Sequence, residues 1–292
     1  MVARKPLKKP PLHLRRNIKI GVGLKVLAKL HLESALTDLQ GDHISPATVH
    51  HVRTSIKKIG AIIQLASPAM GRGRREYVLE LLHEGGSRLG PLRDAEVQVQ
   101  SLDLLLTTEG LPSEEFSSLR EGLCDITKQV RTNDQRQIPR IRGVLKKVLK
   151  TIPEWPLDAL TGKDLRRRIR RTYRRGRTTL DLCHLSNDLV LFHSWRQLVK
   201  QLGYQLRITA RFWPDSAEKL ISSNQAIGEA AGTAHDFFLL LQTLKQGPKT
   251  HSSKQVIQMI EKDLPSLRRK ALEEGLLFYE AKPKLFIEEL GL

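Results

Sequence analysis

The chain has 292 residues, enough for one large buried core or two smaller ones, and its 40% apolar and 27% charged content suits a soluble folded protein. Forty-nine Lys and Arg against 31 Asp and Glu give a formal charge of +18. Like charges at that density repel unless something neutralises them, so a polyanionic partner is expected: polyphosphate, nucleic acid or an anionic membrane. No apolar run is long enough to cross a bilayer, and Met1 to Arg16 lacks the apolar core of a secretory signal, so a cytoplasmic protein without a membrane partner is expected. Cys124 and Cys183 stand far apart with no metal-ligand spacing and are expected to be reduced and buried.

Residues 1–13, with Lys5, Lys8, Lys9 and three prolines, read as a disordered basic tail ahead of a domain over 14–292. From Leu14 to Leu39 the spacing of Ile18, Val22, Val26, Leu30 and Leu36 predicts a helix. Ser45-Pro46 is a helix start, serine as cap and proline in the first turn, for a second helix running to about Ala66 before Pro68. Helices follow over 76–89, 92–106 and 113–130, then a short basic one over 141–150 between Pro139 and Pro153. The junction of two halves, about 14–150 and 151–292, falls there. Beyond it come an arginine-rich helix over 165–185, one from His193 to Phe212, then 216–229, 235–244, 252–270 and a last helix into Phe286. No stretch alternates with β-branched enrichment, so the fold class is all-α.

The helix after Ser45 carries His50, Arg53 and Lys57, spaced i, i+3, i+7 on one helical face, beside an apolar stripe of Val49, Val52, Ile56, Ile59 and Ile63. The pattern recurs 143 residues on as His193, Arg196 and Lys200 beside Phe192, Trp195, Val199, Leu202 and Leu206. Asp94, preceded by Arg93, lies 44 positions after His50, and Asp236, preceded by His235, lies 43 after His193. Agreement over two separated segments reads as an internal duplication giving two pseudo-symmetric helical bundles. Cations at the rim of a packing seam point into a groove, where a lower dielectric strengthens each phosphate contact.

Positive charge is densest between Arg131 and Arg177, with 16 Lys or Arg against 4 Asp or Glu. Arg166, Arg170, Arg174 and Arg177 fall at steps of four, four and three, a face that could track a linear polyanion. Asp94 and Asp236 are expected to hold the stripe arginines through bidentate pairs or to cap a helix. The His235-Asp236 pair is similar to the metal-binding pair of HD phosphohydrolases, but its counterpart is Arg93-Asp94, and arginine stays protonated and cannot ligate a metal, so no metal and no catalytic residue is assigned.

His-x-x-Arg-x-x-x-Lys followed by Arg-Asp or His-Asp, given twice, resembles the CHAD domain, the conserved-histidine α-helical domain. Tyr173 to Arg177 and Lys282-Pro283-Lys284 also fit it, and the resemblance covers nearly the whole chain beyond the first dozen residues. It implies two helical bundles enclosing a basic surface that binds inorganic polyphosphate, without catalysis and without a cofactor, at polyphosphate granules in the cytoplasm. The phosphate-binding residues expected are His50, Arg53, Lys57, Lys58, Arg93, Arg166, Arg170, Arg174, Arg177, His193, Arg196, Lys200 and Lys282. A nucleic-acid-associated protein making weak nonspecific contacts is the rival reading, and 5% aromatic residues leave it few stacking platforms. Gly60 and Gly203 stand where the family's pattern usually has a further arginine, and each removes a cation. Weaker binding or closer helix packing is expected there.

Overall fold

The computed structural model describes residues 10–41, 44–186, 188–214 and 217–290. Those residues form eleven α-helices and no strand: α1 (Ile20–Asp38), α2 (Pro46–Met70), α3 (Arg72–Arg88), α4 (Gly90–Thr108), α5 (Ser117–Gln135), α6 (Ile138–Thr151), α7 (Gly162–Leu185), α8 (Leu189–Thr209), α9 (Ala217–Gln246), α10 (His251–Phe278) and α11 (Pro283–Glu289). The tail lysines Lys5, Lys8 and Lys9 lie outside the described residues, as does Ser216, the expected start of α9. Leu12 is packed against the core, and the Leu14 amide donates to the Ile208 carbonyl at 2.8 Å.

Several helix boundaries differ from the pattern reading, each for a local reason. The first helix starts at Ile20 rather than Leu14, and it buries Leu24, Leu27, Ala28, Leu32 and Ala35 while Val22, Val26 and Leu30 remain exposed. Ser45 caps α2 as expected, accepting from the Thr48 amide at 3.1 Å. Pro68 does not stop that helix. A proline lacks the N–H that would bond the carbonyl four residues back, here Gln64. That carbonyl instead accepts from the Arg168 Nε of α7 at 3.0 Å and the Ser67 hydroxyl at 2.8 Å, and α2 runs on to Gly71, whose φ of +71° ends it.

Pro139 stands in the first turn of α6 and so opens a helix rather than interrupting one. The segment 113–116 is a 3-10 turn rather than the start of α5. The two helices expected over 216–229 and 235–244 are one, α9, because Ile227, Ala231, Ala234, Phe237 and Leu240 carry a single buried stripe through Gly228 and Gly232. That burial offsets a helix cost of about 1 kcal/mol per glycine. Likewise α10 continues through Pro265 to Phe278, beyond the expected Lys270.

Two clusters of buried side chains hold the helices together, and both mix residues from before and after position 150. The larger centres on Trp155, Tyr173, Trp195 and Phe286 with the apolar faces of α1, α2, α6, α7 and α8. Tyr173 stacks on Phe286 with ring centroids 3.9 Å apart and donates to the Ala281 carbonyl at 2.9 Å, which seats the C-terminal helix on α7. The smaller joins Leu102 and Leu105 of α4 and Leu123 of α5 to Phe237 and Leu240 of α9 and Val256 and Ile260 of α10. Cys183 is buried and Cys124, expected buried, is only partly so; both are free thiols.

Candidate functional site: a cationic channel between α2, α4, α8 and α9

The apolar stripes predicted on α2 and α8 are buried: Val49, Val52, Ile56 and Ile59 on one helix, Phe192, Trp195, Val199, Leu202 and Leu206 on the other. Burying those stripes turns the cations beside them toward each other. His50, Arg53 and Lys57 from α2 and His193, Arg196 and Lys200 from α8 line one channel of about 690 Å³, closed by Arg93 and Asp94 of α4 and by His235 and Asp236 of α9. Among the described residues its wall carries five Lys or Arg side chains against two Asp.

The electrostatics of this wall are those of crowded cations. Lys57 is open to solvent along the channel, yet the protein around it and the charges of Lys200, Arg53, Arg196 and Arg93 bring its pKa from 10.5 to about 7. Lys200 falls to about 8 through burial and Arg196, with Asp236 opposing. His193 and His235 face each other with ring centroids 4.7 Å apart, and burial together with the neighbouring cations holds both imidazoles neutral, His235 with a pKa of about 3. His193 and His235 are therefore polar linings of the channel, and a nearby anion would favour their protonation. Burial raises the Asp94 and Asp236 carboxyls, while the arginines beside them oppose it.

The two aspartates fill their expected structural role only in part. Asp236 pairs with Arg196 through one nitrogen at 3.8 Å, not as a bidentate fork, and neither Asp caps a helix, since Asp94 lies within α4 and Asp236 deep within α9. Arg53 is oriented mainly by donating to the Gly86 carbonyl at 2.8 Å. Gly60 lines the channel with nothing within 4 Å of where a Cβ would stand, so closer packing is not its role. Gly203 is the opposite case: a Cβ there would lie 2.3 Å from the Asn224 Oδ1, and α8 and α9 close together at that point.

The remaining expected residues do not join the channel. Lys58 lies toward a neighbouring cavity of about 750 Å³, which shares His50 and Arg93 with the channel and is bordered by the hydrogen-bonded His51 and Asp38. Arg166 and Arg170 meet Lys163 and Lys284 in a shallow depression of about 280 Å³ against α11. Arg174 is exposed, Arg177 half-buried near Tyr173, and Lys282 exposed at the cap of α11. The face of α7 that touches the channel wall, through Gln64, is a different one. Arg168 holds the carbonyl and the side-chain oxygen of Gln64, a channel residue, at 3.0 Å each, and Arg75, Arg171 and Arg175 gather close enough to depress it further. Sequence reading missed this group although Arg168, Arg171 and Arg175 carry the same i, i+3, i+7 spacing as the two stripes. On a helix this rich in arginine several faces are equally cationic, and only the packing of α7 on α2 chooses one.

Among the described residues no three His, Cys, Asp or Glu side chains converge so as to hold a metal ion. No helix among them is long and apolar enough to cross a membrane.

Comparison with known proteins agrees with the residue-level resemblance. The chain superposes on the crystal structure of the CHAD domain from the plant Ricinus communis with a TM-score of 0.69 at 16% identity, over 96% of this chain and 98% of that one. No curated protein matches it. The family model of the CHAD domain matches residues 27–245, more than half of the chain and all four walls of the channel, and the protein belongs to the CHAD-domain family.

Proposed function

We propose that the protein binds inorganic polyphosphate in the channel between α2, α4, α8 and α9, as a non-enzymatic, cofactor-free module of the cytoplasm and its polyphosphate granules. The observation that carries this reading is the pair of depressed lysines. Burial first, and then the cations that face them across the channel, bring Lys57 to about 7 and Lys200 to about 8, and a linear polyanion relieves that repulsion along its length. Arginine forks from Arg53, Arg93 and Arg196 suit pairs of phosphate oxygens, and Arg168 with its neighbours extends the cationic surface past Gln64. Tyr204 is the one Phe, Tyr or Trp in the described channel wall, which leaves little for successive nucleobases to stack on.

The test is competition at fixed salt, with fluorescent long-chain polyphosphate challenged by tripolyphosphate, RNA and DNA. Affinity is expected to rise with phosphate chain length and to fall steeply with salt, because each cation engaged releases a counterion. Equal competition per molecule by tripolyphosphate would replace the extended track by a compact pocket. Displacement by RNA at lower concentration than by polyphosphate would favour the nucleic-acid reading.

A further inference from the structure

Across Lys200 and Tyr204 from the channel, a second cavity of about 390 Å³ opens between α8 and α9. Its size falls in the range of roughly 300–1,000 Å³ usual for small-molecule pockets. Its charge differs from the channel's: Lys200 and Arg207 are balanced by Glu229 and Asp236. Such a wall does not suit a bare polyanion. It suits a group that offers both donors and acceptors.

Two further observations describe that group. Asn224, 2% exposed, is among the residues lining the cavity, and its buried Nδ2 has no hydrogen-bond partner. A buried donor left unpaired is costly, and a ligand acceptor would satisfy it. The Arg207 guanidinium carbon lies over the Tyr204 ring, 5.0 Å from its centroid, with the Nε donating to the Gly203 carbonyl at 3.2 Å. A guanidinium plane fixed in this way is a stacking surface for a flat heterocycle. Gly228 and Gly232 leave gaps between the α9 side chains of the facing wall, and Glu229, which already accepts from Gln225 Nε2 at 2.9 Å, has acceptor capacity left for an exocyclic amine.

We propose that this cavity is a nucleobase subsite, so that the protein takes a mononucleotide with its base between Arg207 and Asn224 and its phosphates on Lys200 and Arg196 in the channel. The inference rests on the channel being a phosphate site. It adds that the α8 side of that channel distinguishes a nucleoside polyphosphate from an inorganic one. Only Lys200, Tyr204 and Asp236 are shared by the two cavities, and the path between base and phosphates runs past them.

The experiment is calorimetric titration of the full chain at fixed salt and pH with ATP, GTP, CTP, UTP, inorganic tripolyphosphate and long-chain polyphosphate. At least one nucleoside triphosphate is expected to bind about tenfold or more tighter than tripolyphosphate. Arg207→Lys keeps the charge and removes the plane, and Asn224→Leu removes the donor. Each is expected to bring that nucleotide to the level of tripolyphosphate while tripolyphosphate itself changes by less than about twofold. Equal binding of every triphosphate and tripolyphosphate by the unaltered protein, which needs no variant to fold, overturns the proposal, as does a base preference that survives both substitutions. Tight long-chain polyphosphate binding without any base preference removes the subsite alone. Failure of every phosphate compound removes the channel reading and the subsite with it.

Discussion

The stripes on α2 and α8 have the same residues at the same spacing, yet the fold gives them different surroundings. On α2, Arg53 is tied to a backbone carbonyl, and Gly60 opens onto empty channel. On α8, Arg196 is paired with Asp236, His193 lies against His235, and Gly203 is pressed against Asn224. A repeated sequence pattern therefore sets which cations enter the channel, while the neighbouring helix sets how freely each can meet a ligand. The α2 stripe is the looser wall and the α8 stripe the more constrained one.

Arginine truncation is the strongest way to break this comparison. Arg53→Ala and Arg196→Ala are each expected to weaken long-chain polyphosphate binding by about 1.5–3 kcal/mol, the range for a lost charge-assisted hydrogen bond, and the double variant by more. Arg196→Ala should be the worse of the two, because it also leaves the Asp236 carboxylate facing phosphate. Adding Asp236→Asn to Arg196→Ala should recover part of the loss. Equal losses for the two single variants, with no recovery, would mean that Asp236 plays no part. Circular dichroism would confirm that helix content is retained.

Protonation sharpens the comparison next. Lys57 on α2 and Lys200 on α8 have folded-state pKa values of about 7 and 8, below the 10.5 of an unfolded lysine. A group depressed in the folded state adds stability above its unfolded pKa and loses it as pH falls through the folded value, so the unliganded protein should melt higher at pH 9 than at pH 7. Bound polyanion raises both values toward 10.5 and flattens the trend. Affinity should fall from pH 7 to 9, with uptake of about one to two protons per binding event at pH 8, read from calorimetry in buffers of different ionisation enthalpy. Lys57→Met should abolish most of the uptake at pH 8.

The glycines give a smaller effect of opposite sign on the two helices. Gly60→Ala, in open space within α2, should stabilise the protein by up to about 1 kcal/mol, whereas Gly203→Ala should destabilise it by about 1–3 kcal/mol through overpacking against Asn224. Urea midpoints measure both. Gly60→Arg, which adds a cation to the looser wall, should tighten polyphosphate binding.

Cations outside the channel should matter least. Arg166→Ala with Arg170→Ala, on the α11 side of α7, should cost less affinity than either channel arginine, because charges outside the channel gain less from a lowered dielectric, and removal of Lys5, Lys8 and Lys9 is expected to cost less as well. Equal loss per charge removed, wherever it stood, would show that net charge alone governs binding.

The helical class, the cap at Ser45 and the two cationic stripes were legible in the sequence because each depends on spacing along one helix, and a period of 3.6 residues is a local property. The same locality explains the errors. Val22, Val26 and Leu30 keep helical spacing yet face outward, because which apolar stripe of α1 is buried depends on α2 and α6 lying against it. Pro68 leaves the Gln64 carbonyl to the neighbouring Ser67 hydroxyl and to Arg168, 100 positions on, and the second of these no local pattern announces. The union of the two stripes in one channel, the choice of the Arg168 face of α7 over the Arg166 face, and the cavity beside Asn224 all came from helix packing. Pattern along the chain gives each side chain a direction on its own helix, and only the crossing of helices decides which directions converge.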